Sequence, residues 1–121
     1  MQVSHRATAD TNFRDINCAT ALMMAAVFGH LKVCKLLVAA KADVNLECNR
    51  GLTPLMAATI NGHLELCKLL VAAKADVNFL STQGTTALDS AIYEGYALVE
   101  RFLRRAGGST SASLKQRVGD R

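Results

Sequence analysis

Four cysteines, two histidines that directly follow glycines, and an aspartate three residues after a threonine are the side chains here whose types could do chemistry. Cys18, Cys34, Cys48 and Cys67 invite a metal or redox reading. Cys18 and Cys48 fall near loop tips of neighbouring segments, yet there is no C-x-x-C spacing and no histidine in ligand register with them, so no metal site is expected. Cys34 and Cys67 are flanked by Val33 or Leu66 and by Leu36 or Leu69, which reads as small side chains packed in a core. His30 and His63 recur in equivalent places with no nucleophile or carboxylate held by an orienting partner, and that repetition points to architecture, a bond to backbone across a helix-helix turn. Thr86 and Asp89 form a T-x-x-D arrangement that suits a helix cap better than a general acid. Phosphate loop, nucleophile elbow and H-E-x-x-H are all missing. No catalytic residue and no cofactor is expected, and the chain is not expected to be an enzyme.

The elements that position these residues come from a chain of 121 residues, 50% hydrophobic, with 19 alanines, 16 leucines and few β-branched or aromatic residues. That length makes one domain with a real core. Small apolar residues favour helices packed close together. The longest unbroken apolar run, Ala21 to Phe28, is far short of the roughly 18 residues of a membrane span, so no membrane insertion is expected. MQVSHRATAD lacks the apolar centre of a signal peptide. The expected setting is intracellular, cytoplasmic or nuclear, with free thiols. The net charge of +4 is terminal: residues 1–100 hold eight Lys/Arg against nine Asp/Glu, and residues 101–121 hold six against one. No basic stripe follows a phosphate backbone, so nucleic acid is not an expected partner.

Shifting the sequence by 33 places Cys18–Glu47 over Gly51–Leu80 with 19 of 30 positions identical, and CKLLVAAKADVN recurs unchanged. A further shift lays Gly84, Thr86, Leu88, Ala91, Gly95 and Leu103 over Gly51, Thr53, Leu55, Ala58, Gly62 and Leu70. Upstream, Ala9, Asp10 and Asn12 fall on Ala42, Asp43 and Asn45. In the clearest copy Thr53 and Pro54 start a helix, Asn61-Gly62 ends it, and a second helix runs from about Leu64 to Ala73 before a polar, turn-rich connection. Neither helix buries its apolar side within one unit, so the copies must stack.

GLTPLMAATINGH, LELCKLL and KADVN resemble the ankyrin-repeat pattern G-x-T-P-L-H-x-A-A-x-x-G-H, leucine-rich second helix and G-A-D-V-N. CATALMMAAVFGH and GTTALDSAIYEGY open further copies, and the resemblance spans about residues 8 to 108. It implies an all-α solenoid of helix-turn-helix units joined by β-hairpin-like loops. The expected division is a partial repeat at 1–14, repeats at 15–47, 48–80 and 81–108, and a disordered tail at 109–121. Met23, Met56 and Asp89 stand where the family has histidine, and Lys41 and Lys74 where it often has left-handed glycine. Cys34 and Cys67 take a position usually held by valine.

The resemblance further implies a non-catalytic module that binds a protein through loop tips and the exposed side of each first helix. Those positions are Ile16, Asn17, Ala19, Val27 and Phe28; Asn49, Arg50, Leu52, Ile60 and Asn61; and Thr82, Gln83, Thr85, Tyr93 and Glu94. Val27, Phe28, Ile60 and Tyr93 are expected to form an apolar ribbon, unless Val27 and Ile60 pack between repeats. A monomer is expected. The alternative is a regulatory segment or fragment of a larger enzyme or channel.

Overall fold

Thr20, Thr53 and Thr86 each start a helix in the same way: the backbone is extended and the hydroxyl accepts from the N–H of Met23, Met56 or Asp89, at 3.2, 3.3 and 3.2 Å. A side-chain acceptor there satisfies a donor the helix cannot. A computed structural model of the protein describes residues 20–48 and 51–119. Within them lie three helix pairs, α1 (Ala21–Phe28) with α2 (Leu31–Ala39), α3 (Pro54–Ile60) with α4 (Leu64–Ala72), and α5 (Ala87–Glu94) with α6 (Ala97–Arg105), followed by α7 (Ser111–Gly119). The expected remnant at 1–14 and Cys18 lie outside the described residues.

Each pair turns at a glycine, Gly29, Gly62 or Gly95, with φ of 75°, 73° and 79°. Beyond the second helices the left-handed residue is Lys41 or Lys74, at φ 71° and 77°, a conformation that costs a residue with a Cβ about 1–2 kcal/mol. Among the described residues there is no strand. Two backbone bonds pinch each connecting loop: Cys48 N–H to the Leu52 carbonyl at 2.9 Å with Gly51 N–H to the Cys48 carbonyl at 2.8 Å, and Ser81 N–H to the Thr85 carbonyl with Gly84 N–H to the Ser81 carbonyl, both 2.9 Å.

The first helices stack in the order α1, α3, α5 in more extensive contact than the second helices α2, α4 and α6. Their composition explains this: Ala25, Ala26, Ala57, Ala58 and Ala91 are all buried and let backbones approach closely. Leu22, Leu55, Leu66, Leu70, Leu88 and Leu103 fill the space between. Thr59, fully buried in the middle repeat, donates its hydroxyl to the Leu55 carbonyl at 2.8 Å and lies 3.4 Å from the Cys67 sulfur.

Polar side chains then tie each repeat to the next. Asn45 donates its amide to the Lys74 carbonyl at 3.3 Å and accepts from Asp76 N–H at 2.8 Å. One period later, Asn78 donates to the Gly107 carbonyl at 3.2 Å and accepts from Ser109 N–H at 2.7 Å. Asp43 and Asp76 brace these asparagines by accepting their N–H groups at 2.9 and 3.0 Å. The repeated A-D-V-N is thus a bracket between loops. On the third repeat, Glu100 and Arg104 occupy the places of Cys67 and Val71 and pair at 3.2 Å, so this face does not continue the apolar stripe.

The segment expected to be disordered from residue 109 is helical over Ser111–Gly119. Thr110 caps the helix, accepting from Ser113 N–H at 3.1 Å. Its entry is held by residues far upstream: the Thr86 hydroxyl donates to the Ser109 carbonyl at 2.7 Å and Ser111 N–H donates to Asp89 Oδ2 at 2.9 Å. Composition carries no trace of such anchors, which is why a small, polar stretch reads as unstructured.

Candidate protein-binding surface

The residues suited to chemistry are placed as architecture. Cys34 and Cys67 are completely buried. Burial pushes the Cys34 thiol up to about 11 and raises that of Cys67, against which bonds from Thr59 and its own backbone act in the other direction. Thiols held neutral in this way are poor nucleophiles and poor ligands. Among the described residues, no group of three His, Cys, Asp or Glu side chains is placed to hold a metal ion.

The His63 ring, expected to bond backbone across its own turn, instead reaches back one repeat: Nε2 lies 3.4 Å from the Val27 carbonyl. Its ring sits so close beneath the preceding turn that a Cβ added to Gly29 would lie 2.6 Å from Cε1. Tyr96 occupies the same place under Gly62, where an added Cβ would meet the ring at 3.0 Å. The residues after Gly62 and Gly95 are therefore spacers for the turn before them. His30 is exposed, with its ring 6.2 Å from that of Phe28.

Asp89 forms the expected cap and more. Its Oδ2 accepts from Thr86 N–H at 2.9 Å and from Ser111 N–H at 2.9 Å, and lies 3.3 Å from the Thr86 hydroxyl, whose proton goes to the Ser109 carbonyl. Partial burial pushes this carboxyl up, but the backbone donors of Thr86 and Ser111 outweigh it and leave it below the ordinary value.

Of the candidate contact residues, Ile16, Asn17, Ala19, Asn49 and Arg50 lie outside the described residues. Val27, Ile60 and Tyr93 come one per first helix, 33 residues apart, and diverge in role. Val27 is half-buried against the core, Ile60 half-buried at the surface, and Tyr93 is 88% exposed. Phe28 is exposed at the opposite end of the stack, and Asn61 is engaged with its own helix through the Ala57 carbonyl at 2.9 Å.

The other candidates converge. Leu52, Ile60, Thr82, Gln83 and Thr85 line one depression, together with Ser81 and Ser90. Ile60, Gln83, Thr85, Tyr93 and Glu94 line a second, together with Asp89, Ser90 and Ser111. Shared residues make them one continuous groove between the second and third repeats. Sequence reasoning missed Ser81, Asp89, Ser90 and Ser111 as groove residues. Ser90 was within reach, since it lies three residues before Tyr93 on the same helix face; Ser111 was not, because it reaches the groove only through α7.

The model for ankyrin repeats (three copies) matches residues 3–81 and 22–112. The chain belongs to the ankyrin-repeat family. Ankyrin repeats are in general protein-interaction modules and typically non-catalytic. Among curated proteins, none matches this ankyrin-repeat chain in sequence. No helix of the described residues is long and apolar enough to cross a membrane.

Proposed function

We propose that this ankyrin-repeat chain is a non-catalytic, monomeric, intracellular binding module, acting in cytoplasm or nucleus, whose protein partner lies in the groove between the second and third repeats. The observation that carries this reading is Tyr93. A ring left 88% exposed on a short stack, beside a concavity lined by polar loop residues and by Ile60, has no structural work there and suits an interface anchor. Rigid helices present the groove while the Ser81–Thr85 turn supplies hydroxyl and amide groups at its rim. Thr82, Gln83, Thr85 and Glu94 would form the polar border, with Ile60 and Leu52 as the apolar floor.

The test is affinity capture of cell proteins on the immobilised chain, identified by mass spectrometry, with Tyr93→Ala and Ile60→Asp as variants and Phe28→Ala as a comparison. Proteins retained by the parent and Phe28→Ala, and lost by both groove variants at unchanged helicity, support the groove. Equal capture by all four would overturn it.

A further inference from the structure

The groove has a chemical bias. Of the eleven described residues lining its two halves, the charged ones are Asp89 and Glu94, both acidic. Across the molecule, α1 and α3 carry no charged side chain and α5 carries just these two carboxylates, whereas α2 carries Lys32 and Lys35, α4 pairs Lys68 with Glu65, and α6 sets Arg101, Arg104 and Arg105 against Glu100. The second helices thus carry a net basic charge, and among the first helices only α5 is charged, with an acidic end. At the third-repeat end the two carboxylates accompany Tyr93. Asp89 and Tyr93 are four residues apart, which puts them on one face of α5 with Cβ atoms about 5–6 Å apart. Glu94 follows directly, and all three line the same depression. Asp89 is engaged by Thr86 and by both the backbone and the side chain of Ser111, so it brings its negative charge to this end of the groove, whereas Glu94 is exposed.

We infer that this end of the groove binds an arginine side chain of the partner, its guanidinium stacked on the Tyr93 ring and paired with Glu94, with the nearby charge of Asp89 adding to the attraction. This rests on the groove being the binding site. A planar guanidinium stacks on an aromatic face while its edge donates to carboxylates, a combination an ammonium makes less well. Ile60 and Leu52, further along, take an apolar side chain of the same partner segment. The occupant is therefore an extended stretch with an arginine and a bulky apolar residue in sequence.

Selection from a phage-displayed library of random linear peptides tests this without knowledge of the partner. The parent chain is expected to enrich peptides carrying arginine near an apolar residue. A selected peptide is expected to bind Glu94→Lys or Tyr93→Leu about tenfold more weakly, the combined effect of one exposed ion pair and one cation–π contact, and to bind Tyr93→Phe nearly as well. Reselection on Glu94→Lys is expected to replace the arginine with an acidic residue. Peptides that are lost on Ile60→Asp yet show no arginine enrichment, or that ignore Glu94→Lys, overturn the arginine site and leave the groove standing. Failure to select any peptide sensitive to both Ile60→Asp and Tyr93→Ala overturns the groove itself, and the arginine site with it. Circular dichroism of each variant shows that the fold is retained.

Discussion

The turns at Gly29 and Gly95 have the same shape and different surroundings. Both glycines are left-handed, at φ 75° and 79°, but the His63 ring lies against Gly29 whereas nothing lies within 4 Å of where a Cβ at Gly95 would stand. The left-handed turn belongs to the repeat, and the close approach belongs to the junction between repeats. A position can therefore keep its residue for one reason at the edge of the stack and for two reasons inside it.

Alanine at these glycines separates the two reasons. Gly29→Ala is expected to cost about 3 kcal/mol, the sum of backbone strain and a displaced His63 ring. Gly62→Ala, with its looser approach to Tyr96, is expected to cost about 2 kcal/mol, and Gly95→Ala about 1 kcal/mol. Urea denaturation of the three variants measures the gradient, and equal losses would mean that the ring contacts contribute nothing.

The caps make a second contrast, because repeat 3 alone adds a carboxylate to the threonine and uses it to hold α7. Asp89→Ala is expected to destabilise by about 2 kcal/mol through the lost capping box and the released Ser111 N–H. Its folded carboxyl lies below the ordinary value, so its contribution is present above pH 3.8, the unfolded value, and is lost as pH falls through the lower folded one. The acid limb of the stability profile should accordingly flatten in Asp89→Ala. Hydrogen exchange should show faster exchange over α7 and unchanged exchange over α1.

Smaller effects are expected at the brackets. Asn45→Ala and Asn78→Ala each remove two exposed bonds and should each cost about 1 kcal/mol, the first accelerating exchange at Asp76 and the second at Ser109. The smallest changes belong to the surface pairs. Glu65→Gln and Glu100→Gln should each shift stability by less than about 0.5 kcal/mol, with the Lys68 and Arg104 partners left in water.

Much of the scaffold was legible because its signals are local. Thr53-Pro54, Gly62 and the leucine spacing of α4 each act within one turn, and identical neighbours 33 residues away vouch for them. Lys41 and Lys74 were legible as departures, and the structure holds both left-handed. The groove was legible in part, since loop-tip and first-helix positions follow from the period. What stayed hidden depends on a partner in another repeat. His63 is indistinguishable by spacing from a residue bracing its own turn, and Asp89 reads as a cap for α5 without revealing that it also anchors α7. Ser111 owes its place in the groove to that anchor.

The brackets also bear on how the chain finds its structure. The farthest-reaching of its described hydrogen bonds, from His63 to Val27, spans 36 residues, and the asparagine brackets span 29 to 31. Each of these ties closes a loop about one period long, so no long entropic search precedes the contact. Topologies of this kind fold fast, and a first paired set of repeats can serve as the nucleus to which the others add one at a time.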